Sequence, residues 1–283
     1  MQIQWYPGHM TKARRAMQED MKLIDLCIEL LDSRCPMASR NPDIDKLAQG
    51  KYRLIILNKK DLADEKTTEA WKAYFEEKGV SALAVDSREK GAVKAILQAV
   101  SDVTKEKVER DRKRGILARP VRCCVAGIPN VGKSTFINTI AGRTAAKTGN
   151  KPGVTKGDQW IRLNKQAELL DTPGILWPKF EDETVGTHLA FIGSVNDMIL
   201  NREELACELL KFLKEKHPDM LLKRYEGLSL EGSDYDCLSS LAMIKNLLKK
   251  GGEPDTERAA GMLTEDFRTG RLGRISLETP DEY

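Results

Sequence analysis

The run Gly127-Ile-Pro-Asn-Val-Gly132-Lys133-Ser134 sets two glycines, a lysine and a hydroxyl at the spacing of a phosphate-binding loop. Glycines let backbone N–H groups converge on phosphate oxygens, and a helix starting directly after them presents its positive end. Lys133 suits the β- and γ-phosphates and the Ser134 hydroxyl suits Mg²⁺, with Asn130, Val131, Gly132 and Thr135 contributing to the nucleotide cradle. Downstream, Asp171-Thr-Pro-Gly174 offers a carboxylate for Mg²⁺, direct or through water, and a Gly174 N–H that can sense the γ-phosphate. Taken alone, Asp-x-Pro-Gly is equally a good turn sequence. Between the two lies Pro152-Gly153-Val154-Thr155, flanked by Lys147, Lys151 and Lys156. Thr155 is the candidate switch hydroxyl, closing over Mg²⁺ when the γ-phosphate is present; a plain Pro-Gly turn is the alternative.

A second group reads a base. In Asn58-Lys59-Lys60-Asp61 the carboxylate of Asp61 can accept from the ring N–H and the exocyclic amine of guanine, both donors, whereas adenine leaves it unpaired. This favours GTP over ATP. Asn58 would brace the loop, and Lys59 would lay its stem along the base. Val85-Asp86-Ser87 offers a backbone N–H to the guanine oxygen, with Asp86 and Ser87 the candidate contacts. The base-reading group precedes the phosphate loop, the reverse of the usual order. A parallel sheet tolerates such a cut and rejoining when its original ends lie close together.

The elements that must position these residues alternate. Residues 11 to 22 read as a short amphipathic helix, and Leu23 to Leu31 and Tyr52 to Leu57 as buried strands on either side of a helix starting at Asn41-Pro42. Residues 65 to 79 read as helix, Ser81 to Val85 as strand, 89 to 114 as one or two helices and Val121 to Ala126 as strand. Asp158 to Leu163 and Gln166 to Leu170, around Asn164-Lys165, suggest an edge hairpin. The expected fold is α/β, a mostly parallel sheet covered on both faces, with every motif at a strand's carboxyl end. From about residue 200 only helical periodicity remains, with Leu205, Leu209, Leu210 and Leu213, then Leu238, Leu241, Ile244, Leu247 and Leu248, all read as core. The expected domains are therefore 1–200, around the sheet, and 201–283, smaller and all-α.

With 41% hydrophobic and 31% charged residues among 283, the chain can bury a real core. It holds no apolar run near the roughly 18 residues of a membrane span and no signal-peptide pattern, so a cytoplasmic location is expected. Cys27, Cys35, Cys123, Cys124, Cys207 and Cys237 have no metal-ligand spacing and read as reduced thiols. A net charge of +3 does not by itself announce nucleic acid.

The residues now in hand, together with the opening Trp5-Tyr-Pro-Gly-His-Met-Thr-Lys-Ala-Arg14, the Leu-Asp-Ser-Arg34 stretch and the closing Asp266-Phe-Arg-Thr-Gly-Arg-Leu-Gly-Arg-Ile275, carry a resemblance. Over essentially its full length the chain resembles the circularly permuted GTPases, most closely the ribosome biogenesis GTPase A family. The resemblance implies a permuted doubly wound P-loop GTPase fold, hydrolysis of GTP to GDP, and a partner in the large ribosomal subunit, whose ribosomal RNA the helical domain docks on. It further implies that His9 reaches the site on the ribosome, and that Asn130 helps hold a K⁺ ion where an arginine finger would act. Ile175 follows Gly174 where many GTPases carry a water-orienting glutamine, so turnover by the isolated protein should be slow.

Three basic groups are candidates for RNA contact. Lys12, Arg14 and Arg15 form one and Arg268, Arg271 and Arg274 another, whereas Lys105 to Arg114 interleaves Glu106, Glu109 and Asp111 and reads as a solvated helix. His188 and His217 read as surface residues. The expected protein is a monomer with no DNA and no membrane partner; the rival reading is a non-catalytic, GTP-dependent sensor that docks a protein.

Overall fold

Leu26–Asp32 (β1) is buried at all seven positions, as befits a central parallel strand covered on both faces. Its neighbours are Tyr52–Asn58 (β2) and Val121–Gly127 (β4), both parallel to it. Ser81–Val85 (β3) adds in parallel beyond β2, and Ala167–Asp171 (β6) beyond β4. Gln159–Arg162 (β5) closes that edge antiparallel to β6, giving the order β3-β2-β1-β4-β6-β5. This computed structural model describes residues 19, 21–89, 91–116, 119–142, 159–164, 166–171, 182–196 and 200–283, and only the backbone at Gln159 and Asp171.

Local chemistry explains most of the connections. The β5–β6 turn is made by Asn164, whose side-chain oxygen accepts from the N–H groups of Gln166 (2.7 Å) and Ala167 (2.8 Å). Glu29 is buried within β1 because Arg40 and Arg53 reach it at 3.2 and 2.9 Å, and Asp45 joins those two arginines from outside at 2.6 Å each. Glu65–Glu77 (α2) is capped by Asp64, which accepts from the Thr67 N–H, and it buries Trp71 and Phe75 with Leu31, Ile55 and Leu57. The expected helix at Asn41-Pro42 begins later. Asn41 instead accepts from the Asp43 N–H at 2.9 Å, forming a turn, and only Ile44–Leu47 (α1) is helical.

The stretch from β3 to β4 is two helices, Ala92–Val103 (α3) and Lys105–Lys113 (α4). In α4, Lys107 pairs with Asp111 at 2.6 Å, the i to i+4 arrangement its sequence suggests. Lys133–Ala141 (α5) follows β4.

Among the described residues, contacts form two units, one of residues up to 171 together with Ser276–Tyr283, the other of residues 182 to 275. The sequence boundary at 200/201 thus differs at both ends. Glu183–Phe191 (α6) belongs with the helical unit, and the last eight residues do not. That tail is tied to the sheet unit by specific bonds. The Leu277 N–H donates to the Arg34 carbonyl at 2.7 Å, and Glu278 accepts from the N–H groups of Met37 (2.9 Å) and Ala38 (3.0 Å). Trp71 Nε1–H donates to the Glu278 carbonyl at 3.2 Å, and the Asp64 N–H to Ser276 Oγ at 3.1 Å.

The helical unit continues with Arg202–Lys216 (α7), Pro218–Arg224 (α8), Asp234–Ile244 (α9) and Thr256–Arg268 (α10). Leu205, Leu209, Leu210, Leu213, Leu238 and Leu241 are core as expected. Ile244 and Leu248 are exposed instead, because α9 ends at Ile244 and the chain turns through Asn246 at φ +55°. His188, expected at the surface, is buried with its ring 6.4 Å from that of Phe191.

Arg268, expected to face RNA, points inward. Its guanidinium donates to the carbonyls of Ala190 (2.8 Å) and Phe191 (3.0 Å), closing the last turn of α6 where a cation also suits the helix dipole. Asp266 is a buried hub, accepting from Arg224 Nε at 2.7 Å, Tyr225 Oη at 2.9 Å and Arg271 Nη1 at 3.2 Å. No helix among the described residues is long and apolar enough to cross a membrane.

Candidate functional site

The carboxyl ends of β1, β2, β3, β4 and β6 fall at Asp32, Asn58, Val85, Gly127 and Asp171, so parallel pairing brings their loops to one edge of the sheet. The phosphate loop leaves β4 through a tight passage. A Cβ on Gly127 would stand 3.0 Å from both the Leu30 carbonyl oxygen and Val131 Cγ1. Asn130 and Gly132 then take left-handed backbone conformations, φ +61° and +99°, and α5 opens at Lys133. The Phe136 N–H donates to the Gly132 carbonyl at 2.8 Å, so the first turn is closed from Gly132 on. Lys133 is buried, Ser134 and Thr135 are half-buried, and the side chain of Asn130 is exposed.

Asn58 joins this loop to the base-reading loop. Its Nδ2 donates to the Val131 carbonyl at 2.9 Å, and its Oδ1 accepts from Ser87 Oγ (2.7 Å) and the Ser87 N–H (3.2 Å). One buried amide therefore ties together three loops that are far apart in sequence. Of the backbone N–H groups of Val85-Asp86-Ser87, one of which was expected to meet the guanine oxygen, that of Ser87 is engaged by Asn58 here, and the Arg88 N–H donates to Asp86 Oδ1 at 2.9 Å. Gly132 is the point of closest approach, since a Cβ there would lie 2.5 Å from Asn58 Nδ2. Gly132→Ala combines that clash with a left-handed φ that costs about 1–3 kcal/mol outside glycine. We expect it to displace Asn58 and weaken nucleotide binding by at least about tenfold, measured by titration with a fluorescent guanine nucleotide.

Lys59, itself at φ +59°, is a second clasp. Its Nζ donates to the Asn130 carbonyl at 2.8 Å and to Asp32 Oδ2 at 3.0 Å. Asp32 is fully buried and holds Arg34 as a fork, Nε to Oδ1 and Nη2 to Oδ2, each at 2.8 Å. Burial pushes the Asp32 carboxyl upward, but Arg34 and Lys59 outweigh it and hold the group well below the usual carboxylate range. The Asp32–Arg34 pair and its link through Lys59 to the phosphate loop were not read as site chemistry from the sequence. The Leu-Asp-Ser-Arg34 stretch, a charged pair closing an apolar strand, is the signal that could have found it.

Asp61 lies in the middle of the short 3₁₀ turn Lys60–Leu62. Its Oδ2 accepts from Arg88 Nη2, while its Oδ1 is buried with no hydrogen-bond donor among the described residues. A buried acceptor left unsatisfied is costly, so this oxygen is suited to a donor that arrives with a ligand. Asp86 is held by Arg88, and Arg88 is a further site residue the sequence reading passed over.

For Mg²⁺, the pairing of Asp171 with Val125 sets the end of β6 two residues short of Gly127, and Ser134 occupies the second position of α5. A hydroxyl and a carboxylate-bearing strand end thus share the phosphate-loop edge, a donor set that fits this hard cation. His9, Thr155, Gly174 and the side chain of Asp171 lie outside the described residues, as do Lys12, Arg14 and Arg15.

Comparison with known proteins agrees with this geometry. A family model described as "50S ribosome-binding GTPase" matches residues 122–223, from β4 into α8. The chain is 44% identical over 283 residues to ribosome biogenesis GTPase A of Bacillus cereus, covering 100% of this chain and 96% of that protein. It is 31% identical over 280 residues to the protein of the same name from Thermotoga maritima, covering 99% and 95%. Two solved structures are similar. The GDP-bound structure of TM YlqF gives a TM-score of 0.69 at 28% identity, covering 94% of this chain and 100% of that one. GNP-bound YlqF from T. maritima gives 0.66 at 29%, covering 95% and 99%. With phosphate and base loops joined at one sheet edge and relatives matched end to end, the chain belongs to the ribosome biogenesis GTPase A family and is a GTPase that binds guanine nucleotide.

Proposed function

We propose that this GTPase is an assembly factor for the large ribosomal subunit, slow by itself and stimulated on the particle, acting in the cytoplasm as a monomer. The observation that supports the nucleotide part is the bond from Asn58 to the Val131 carbonyl, which joins the two loops closely enough for one ligand to span them. In this reading Asp61 accepts from guanine, and Asn58 with Lys59 fixes the distance between the two loops. Val131, Gly132, Lys133, Ser134 and Thr135 receive the phosphates, with the Lys133 ammonium opposing their charge. Ser134, Thr155 and Asp171 would hold Mg²⁺, which when bound neutralises charge on the β- and γ-phosphate oxygens. Asn130 would ligate K⁺ through its exposed side chain, since its carbonyl is taken by Lys59. The Gly174 N–H senses the γ-phosphate, and His9 reaches the attacking water when the ribosomal particle is bound.

The ribosomal partner is supported by the description of the matching family model and by the names of the full-length relatives. With Arg268 committed inward, the better RNA face of the helical unit is the exposed stretch of residues 243–250. There Lys245, Lys249 and Lys250 stand beside Met243, Ile244 and Leu248. The decisive assay is multiple-turnover GTP hydrolysis with and without purified large subunits, in K⁺ and in Na⁺. We expect stimulation of roughly tenfold or more by the subunits and a lower rate in Na⁺. Hydrolysis indifferent to the subunits would remove the assembly role.

A further inference from the structure

The loops after β2 and β3 end side by side, because Asn58 and Val85 are register partners. This places two carboxylates, Asp61 and Asp86, at one rim of the site. Like charges so placed repel, and each would turn away from the other toward solvent. The structure sets a guanidinium between them. Arg88 Nε donates to Asp86 Oδ1 at 2.9 Å, Nη2 to Asp86 Oδ2 at 3.0 Å, and the same Nη2 to Asp61 Oδ2 at 2.5 Å. The Arg88 N–H adds a fourth bond to Asp86 Oδ1, so the fork is anchored by its own backbone. Lys60 and Glu89 span the same two loops at 3.3 Å farther out.

The consequence falls on Asp61. A carboxylate has two oxygens and no donor of its own, so what each oxygen faces decides what it can read. With Oδ2 bonded by Arg88, Oδ1 is the oxygen left buried without a donor among the described residues. The fork itself closes on Asp86, so the Nη2 that reaches Asp61 is held in a fixed direction, which a lysine, a point charge on a flexible stem, would not supply. Among the described residues, the side chain of Asp86 is hydrogen-bonded by Arg88 alone.

We propose that Arg88 is a positioning and specificity-determining residue for guanine recognition: it neutralises Asp86 and holds Asp61 with Oδ1 presented to the donors of the base. This rests on the reading that Asp61 is the guanine reader. The residue acts through Asp61, so its signature is discrimination and not affinity alone. Guanosine and inosine triphosphates differ by the exocyclic amine, one of the two donors Asp61 is there to accept, and their affinity ratio reports how well that carboxylate is aimed.

The test measures dissociation constants for GTP and ITP by competition against a fluorescent guanine nucleotide, with circular dichroism to confirm folding. Arg88→Ala should weaken GTP by roughly tenfold or more and cut the GTP-to-ITP preference several-fold, a loss on the scale of one charged hydrogen bond. Arg88→Lys should keep part of the affinity and lose most of the discrimination. Arg88→Ala with Asp86→Ser should recover affinity relative to Arg88→Ala, because the repelling carboxylate is gone; a merely structural arginine would show no such rescue. Should Arg88→Ala not fold, the lysine and double variants still decide the matter. Asp61→Asn is the control for the underlying reading. If it exchanges GTP for xanthosine triphosphate while every Arg88 variant keeps the wild-type ratio, the proposal fails and the base site stands. If Asp61→Asn leaves nucleotide preference untouched, Asp61 is not the reader and both fall.

Discussion

Asp61→Asn is expected to lose GTP affinity by roughly two to four orders of magnitude and to gain xanthosine triphosphate. The buried, unsatisfied Oδ1 is an acceptor in wait. Guanine brings two donors, and an amide can accept only one of them while setting its own NH₂ against the other. In xanthine a carbonyl stands where the amine was, so the same NH₂ gains a partner. The asymmetry is large because a site built around hydrogen bonds leaves its own buried groups unpaired when the wrong base enters. Titration of both triphosphates against wild type and variant reads the exchange directly, and an unaltered preference would exclude Asp61 from the base site.

Asp32→Ala is the second large effect. Arg34 is almost wholly buried, and removing its carboxylate leaves a charge in the interior with no counterion at the forked position. Breaking a buried pair from one side costs about 3–5 kcal/mol, whereas replacing both partners by apolar residues of similar volume costs far less. A lowered midpoint of about 10 °C in thermal unfolding is expected, with a double apolar variant at Asp32 and Arg34 intermediate. Lys59 also loses one of its two acceptors, so nucleotide binding should fall along with stability. The pH dependence has a definite sign. The folded pKa of Asp32 lies below the unfolded value, so the pair's contribution is fully present above about pH 4 and is lost as pH falls through the folded pKa. The stability gap between wild type and Asp32→Asn should therefore stay level from pH 5 upward and shrink only in strong acid.

Much of the scaffold is legible in the sequence because its signals are local. The strands from Tyr52, Ser81 and Val121 announce themselves as apolar runs, and Asn164 at the hairpin supplies its own turn chemistry. The phosphate loop and Asn58-Lys59-Lys60-Asp61 are legible because the ligand dictates residue type and spacing. What escaped reading depends on partners remote along the chain. Arg268 carries the same charge whether it meets RNA or the last carbonyls of α6, and only the fold decides. His188 has no neighbour in sequence that foretells its burial. Arg88 looks like any surface arginine until β2 and β3 align and bring Asp61 to it. Asn41-Pro42 shows how a local signal misleads: the same asparagine oxygen can cap a helix or close a turn, and here it closes a turn.

The return of Ser276–Tyr283 to the sheet unit makes the helical unit an insertion, threaded into its neighbour's chain at both ends. A single proteolytic nick at either crossing would not set it loose, since Glu278 and Leu277 still grip the Arg34 turn on one side and the peptide backbone is continuous on the other. The two fragments should co-migrate on a sizing column until denaturant parts them. Whatever force a bound partner exerts on the inserted unit has two covalent routes into the nucleotide domain, and one of them ends beside the arginine that Asp32 holds.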